Sequence, residues 1–504
     1  MVPKGHSCVK ITLMNSFTVF LIIVNSVRCA NILGVFISPL FIHQIIYHSL
    51  CRELSLRGHQ ETVITPFPFD DPTLTNLTEI SIEFVHEIMK RRNTSTYFSK
   101  DFGIWQTSHD IFDSIDSIAE TILNSTKLQE LIDDPNRKFD LIVMELLHPV
   151  LFGFAARFGA PSIGISTGPL FSYNIAFFLW CKFYYQWVFL PRGHGMATKY
   201  FGKVPYVGDL EKNLSLYFTG VNSIIPSQEP RTSAIVEIGA IHIQPPKPLP
   251  EDLQKILDEA SAGFVYVNLG SNNIDQKLRT IITEVLRELP YTVLWKWESD
   301  RLPGKPSNVV IRNWVPQQDV LAHCNIKAFV TQGNIQAVQE AISREVPLIG
   351  IPFINDQVFT VQKIVDLGIA ERVDPATTTK SELKGVIIHV VETQRYRDRI
   401  KEVRSIMFDK PMSGLETVIW WSEYVMRHKD IKHLTSPVFE SSWDSYFNDV
   451  VAPFLDVELQ KPLIIPFDLF PEEGVLLARP FRAGLKTTHL VQLQVQPPPP
   501  YLAR

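Results

Sequence analysis

Cysteine is scarce in this chain: five occur among 504 residues, too few and too scattered to cross-link a small disulfide-built domain. Stability must come from buried apolar surface instead. Charge of one sign is also lacking, since 48 Lys+Arg against 53 Asp+Glu leave a formal net charge of −5 and no basic surface suited to nucleic acid. Long hydrophobic runs are missing beyond the N-terminus. The most apolar later stretch, 171–190, is interrupted by Asn174, Lys182 and Gln186, so no transmembrane anchor is expected. No internal repeat is present, which excludes a solenoid.

What remains is a globular composition, 45% hydrophobic and 20% charged, in a chain long enough for two or three domains. At the N-terminus Lys4 and Lys10 precede the apolar run 17–24, and Val27-Arg28-Cys29 follows it, so residues 1–29 read as a signal peptide. Sequons at Asn76, Asn93, Asn124 and Asn213 agree with a secreted glycoprotein.

Four prolines within 245–250 forbid helix and remove ladder donors, marking a linker between an N-terminal domain, 30–244, and a second domain, 251–434. On both sides, short β-branched runs alternate with stretches of helical period. Runs at 32–37, 61–65, 141–144 and 161–165 lie before the linker; those at 263–269, 292–297, 309–311, 328–331 and 347–351 lie after it. Such alternation predicts two parallel α/β sheets with ligands at the carboxyl ends of their strands. Residues 435–504 carry no apolar period, and 453–504 hold nine prolines, so an irregular tail is expected there.

Several residues at predicted strand ends could carry chemistry. The strand at 328–331 runs through Gln332-Gly333 into a helix, whose exposed N-terminal amides attract anions. Glu340 on that helix could accept hydrogen bonds from ribose hydroxyls, Trp314 offers a flat face for a base, and Asp356-Gln357 pairs a carboxylate with an amide, suited to sugar hydroxyls. Taken singly, each also fits an ordinary structural role: Trp in the core, Glu on a solvated face, Gly at a tight turn.

Their order and spacing carry more than any one of them. Trp314-Val315-Pro316-Gln317, Phe329-Val330-Thr331-Gln332-Gly333, Glu340-Ala341, Val346-Pro347, Pro352 and Asp356-Gln357 together resemble the signature of the UDP-glycosyltransferases. The likeness extends over roughly residues 31–434, from the entry at Pro248-Leu249-Pro250-Glu251 to the closing stretch Trp421–His428. Gln332, where most members carry His, points to the baculovirus ecdysteroid group within the family. The resemblance implies a GT-B-like fold, two facing Rossmann-like domains with a cleft between them. It implies an inverting enzyme that takes UDP-glucose as co-substrate, with no cofactor and no metal, and glucosylates an apolar, steroid-like acceptor such as an ecdysteroid, inactivating it. In keeping with a metal-free scheme, the chain contains no Asp-x-Asp pair.

Residue by residue, the same resemblance implies that Trp314 stacks on uracil and the main chain of Val315 meets its edge. Glu340 would hold the ribose, Ser271, Gln332 and Gly333 would surround the diphosphate, Asp356 and Gln357 would bind the glucose, and Gln317 and Gln336 would belong to the same donor site. His43 would be the catalytic base and Glu145 its orienting carboxylate. Departures from the family pattern fall at Asn334, Ala337 and Asn268. Asn334 could crowd the phosphates if its position needs a positive φ. The aromatic run from Phe171 to Trp187 is a candidate acceptor wall or a buried surface of the first domain. Two other readings stay open: a catalytically weakened binding protein on the same fold, and a serine esterase using Ser166 of Gly164-Ile165-Ser166-Thr167-Gly168.

Overall fold

The computed structural model describes residues 29–91, 104–168, 184–225, 233–270, 274–353, 355–429 and 431–434. The leader-like segment 1–28, Asn93, Ser271, most of the aromatic run and the Pro-rich tail therefore lie outside the described residues.

Two wholly parallel sheets organise the chain. In the first, β1 (Asn31–Val35), β2 (Gln60–Thr65), β3 (Leu77–Ser81), β4 (Leu141–Glu145), β5 (Ser162–Ser166), β6 (Leu216–Thr219) and β7 (Ile235–Glu237) lie in the order β3-β2-β1-β4-β5-β6-β7. In the second, β8 (Phe264–Asn268), β9 (Thr292–Lys296), β10 (Val309–Arg312), β11 (Ile326–Thr331), β12 (Leu348–Gly350) and β13 (Ala370–Arg372) lie in the order β10-β9-β8-β11-β12-β13. Central strands such as β4, LIVME, are buried along their whole length, because helices cover both faces of a parallel sheet.

Each sheet has one apolar core on either face. The strand order reverses between β1 and β4 and again between β8 and β11. Chains leaving neighbouring strands there diverge to opposite faces and open a crevice at the strand ends. Those crevices receive His43 and Glu145 on one side, and Gln332 on the other.

One boundary differs from expectation. Helix Gly414–His428, assigned by sequence order to the second domain, packs on the first sheet's core through Val418, Ile419 and Val425. Its Glu423 approaches Arg57 and His59 of the first domain at 3.7 and 3.8 Å. An amphipathic helix follows whichever apolar face is open to it, not its nearest neighbour in sequence.

Candidate active site

Strand β1 ends at Val35, and helix Phe41–Leu56 begins six residues later, placing His43 in its first turn. The His43 ring is partly exposed, and its Nδ1 lies 3.4 Å from Glu145 Oε1 and 3.1 Å from Ser38 Oγ. Glu145, the last residue of β4, is only 3% exposed. Its Oε2 accepts from the backbone N–H groups of Ile37 and Ser38 at 3.0 and 2.8 Å. Two main-chain donors thus satisfy one oxygen and aim the other at the imidazole. With Nδ1 carrying the proton toward Glu145 or Ser38, Nε2 keeps its lone pair for an incoming hydroxyl. Tyr47 is buried in the same region; burial, then the charge of Glu145, hold its phenol well above the usual tyrosine range and therefore protonated. Ser38 was not singled out in the sequence, although a serine before proline and a helix start is a local signal for such a capping role.

Across the crevice, Trp314 presents its ring to solvent at 67% exposure, while Val315 is buried in the second domain's core. Gln317 donates to Glu340 Oε2 at 2.6 Å, and Gln318 donates to Glu340 Oε1 at 3.1 Å. The Gln317 oxygen accepts in turn from Tyr266 Oη and Asn268 Nδ2. Burial pushes the Glu340 carboxyl up to about 7 against the pull of those two glutamine amides. Asn268, a departure from the family pattern, thus joins the network: its Nδ2 positions Gln317 and its Oδ1 receives Gly270 N–H at 3.1 Å.

The turn after β11 resolves the question about Asn334. Gly333, with φ +87, takes the left-handed conformation, whereas Asn334 has φ −60 and caps helix Ile335–Ser343 by accepting from Gln336 N–H at 3.0 Å. Asn334 is therefore unstrained. Ala337 is buried in the core.

Like Gln317, the other three glutamines expected at the donor are engaged with protein. Gln332 donates to Leu269 O and accepts from Gln357 Nε2 at 3.1 Å, and Gln357 accepts from Phe353 N–H at 2.9 Å. Gln336 donates to Thr167 O of the first domain at 2.7 Å, so its amide N–H group spans the two halves. Asp356 is partly buried, and desolvation raises its carboxyl, a rise opposed by its own and Gln357's backbone N–H groups and by the charge of His43.

At the aromatic run, the described residues favour packing over an open wall. Tyr184 stacks on Phe112 with centroids 5.0 Å apart, and Tyr185 donates to Glu211 at 3.1 Å, leaving Trp187 exposed. A second aromatic pair includes a residue two positions before His43: Phe41, 56% exposed, meets Phe67 edge-on at 5.3 Å. Ser166 donates to Gly168 O at 2.9 Å, an ordinary turn bond that gives the esterase reading no histidine partner. Among the described residues no helix is long and apolar enough to cross a membrane.

Comparison with known proteins gives the family and the fold. Residues 223–468 match the family model for UDP-glucoronosyl and UDP-glucosyl transferases, a match that runs into the stretch read as an irregular tail. UDP-glucosyltransferase 2 of Dactylopius coccus is 30% identical over 86% of this chain and 92% of its own length. The ecdysteroid UDP-glucosyltransferase of Spodoptera littoralis nuclear polyhedrosis virus is 28% identical over 86% and 96%. Among solved structures, the calicheamicin glycosyltransferase CalG4 superposes with a TM-score of 0.59 at 17% identity, covering 80% of this chain and all of that one, which places the fold as GT-B. With a relative at 30% identity over 86% of this chain and 92% of its own length, the chain belongs to the UDP-glycosyltransferase family, enzymes that take a UDP-sugar as donor.

Proposed function

We propose that the protein transfers glucose from UDP-glucose to a hydroxyl of an ecdysteroid-like acceptor, with inversion at C1, and thereby inactivates the hormone. The observation that carries this reading is the His43 Nδ1 to Glu145 contact at 3.4 Å, at the end of the first sheet that faces Asp356. His43 Nε2 takes the acceptor proton as the hydroxyl oxygen attacks C1. The bond from C1 to the diphosphate oxygen breaks, and UDP leaves with the electron pair. Glu145 offsets the charge that forms on the imidazolium. The N-terminus of helix Ile335–Ser343 meets the diphosphate, so the scheme needs neither metal nor organic cofactor. Trp314 supplies a face for uracil, Glu340 the ribose contact and Asp356 the glucose contact.

Support for the acceptor class comes from relatives named ecdysteroid UDP-glucosyltransferases, at 26–28% identity, and from the exposed Phe41 ring two residues before the base. Passage through the secretory pathway is part of the same proposal and rests on residues 1–29; Asn124 and Asn213 are exposed enough to be glycosylated. UDP release from UDP-glucose should depend on added ecdysone and fall to background in His43→Ala. Mass spectrometry of the conjugate from mixed UDP-sugars and sterols identifies both substrates. Equal release by the two proteins, or reaction only with a non-steroid, would overturn the proposal.

A further inference from the structure

The chain leaves the first sheet after β7 and enters the second domain through residues 238–250, a segment that runs past the short helix Gln317–Leu321. Three hydrogen bonds seat it there. Gln318 Nε2 donates to His242 O at 3.0 Å, and Gln318 Oε1 accepts from Gln244 N–H at 2.9 Å. One residue on, Asp319 Oδ1 accepts from Lys247 N–H at 2.7 Å. Each group the segment supplies is main chain, which cannot rotate away as a side chain would.

The same Gln318 amide reaches the carboxylate assigned to the ribose. Its Nε2 also donates to Glu340 Oε1 at 3.1 Å, so the NH2 group meets two acceptors while the oxygen meets a donor. That leaves the amide one workable orientation. Turned over, it would set its NH2 against Gln244 N–H and its oxygen against both His242 O and the Glu340 carboxylate. A second group from the segment lies beside the same oxygen: His242, 2% exposed, holds Nε2 3.4 Å from Gln336 O and 3.7 Å from Glu340 Oε1. Burial pushes its imidazole down to about 4, so it meets the carboxylate as a neutral ring. With Gln317 on Oε2, each oxygen of Glu340 is held by one amide and keeps lone-pair capacity for a hydroxyl.

We propose that Gln318 is a positioning residue that fixes Glu340 Oε1 for the ribose hydroxyls, its own amide being set by the main chain at His242 and Gln244. Recognition of the nucleotide's sugar ring thereby depends on how the interdomain segment is seated. The proposal rests on the ribose contact assigned to Glu340, and on neither the acceptor nor the hexose.

The test titrates the full chain, Gln318→Met, Gln318→Glu and Glu340→Ala with UDP and with 2′,3′-dideoxy-UDP at pH 8, followed by tryptophan fluorescence. The parent should prefer UDP by about 10- to 100-fold, the worth of hydrogen bonds to a charged acceptor. Both Gln318 variants should keep no more than about threefold preference, while dideoxy-UDP binds them within about threefold of the parent. Gln318→Glu retains the acceptor for Gln244 N–H and replaces only the donor, so it reports even where Gln318→Met does not fold. Adding Gln318→Glu to Glu340→Ala should cost UDP little further affinity. An unchanged preference in the Gln318 variants, with Glu340→Ala having lost it, would overturn the positioning role and leave the ribose contact standing. Equal weakening of both nucleotides would overturn it as well, by making Gln318 structural only. A parent that binds the two nucleotides equally would instead overturn the ribose contact itself, and the proposal with it.

Discussion

Replacing Glu145 by Gln removes a charge without changing size, and its consequence can be worked from the site. When His43 accepts a proton, the imidazolium lies 3.4 Å from Glu145 Oε1. At an effective dielectric constant of about 20 the attraction is about 5 kcal/mol. Solvent reaches the ring, whose side chain is 27% exposed, and screening lowers this to about 2–4 kcal/mol. The expected loss in kcat is therefore about 30- to 1000-fold. Geometry adds a second effect in the same direction. The backbone N–H groups of Ile37 and Ser38 claim one oxygen of residue 145, so a Gln there must turn its NH2 toward His43 Nδ1. That donor favours the tautomer protonated on Nε2, which cannot take a proton from the acceptor. Ser38 Oγ, 3.1 Å from Nδ1, can accept the Nδ1 proton and soften the effect, so Ser38→Ala combined with Glu145→Gln should be slower than either alone. Steady-state kinetics with UDP-glucose should show kcat falling while KM for the donor stays within about threefold. A Glu145→Gln enzyme within threefold of the parent kcat would refute the assignment of Glu145 as the partner of the base.

Three further outcomes follow from the same structure. Glu340 is pushed up to about 7, so the free protein carries it protonated below that pH. Ribose hydroxyls donate to the carboxylate and pull its pKa down, so UDP-glucose binding should release a proton and tighten about three- to tenfold from pH 6 to pH 8. Calorimetry in buffers of different ionisation enthalpy reads this directly, and Glu340→Gln should flatten the profile; a flat profile in the parent would exclude the role. Gly333 has φ +87, and a Cβ there would lie 2.2 Å from Val361 Cγ2, so Gly333→Ala should cost about 2–4 kcal/mol in urea unfolding. Val361→Ala should recover only the steric share of that cost, because the φ strain remains. Burial pushes Glu61 up to about 8 from an ordinary 4.5. The associated stability is present below the unfolded value and lost as pH rises through 8, at most about 1.4 kcal/mol per pH unit. The Tm of Glu61→Gln should therefore gain on the parent between pH 6 and pH 9, and a constant difference across that range would contradict the assignment.

The central strands were legible because a parallel strand covered on both faces reads as an unbroken apolar run, as in Leu141–Glu145 and Phe264–Asn268. Strands β3, β6, β7 and β13 carried no comparable signal. β3, LTEIS, sits at a sheet edge with partly exposed residues, while β7 and β13 are three residues each. Trp314, Glu340, Asp356 and His43 were visible by their chemistry and order, since each projects from a strand end or a helix's first two turns.

The glutamines show where sequence stops. As letters, Gln317, Gln332, Gln336, Gln339 and Gln357 are equivalent amides, each able to meet a ligand or a protein group. By itself the sequence determined the two-sheet architecture, which rests on local periodicity, and through the order and spacing of its motifs the family it resembles. Only the tertiary structure decided what each amide bonds. It turns Gln317 to Glu340, Gln332 to Leu269, and Gln336 and Gln339 to main-chain groups of the other domain. It also decided that helix Gly414–His428 belongs with the first sheet. A hydrogen bond depends on direction and a few tenths of an ångström, and those are set by contacts far apart in the chain.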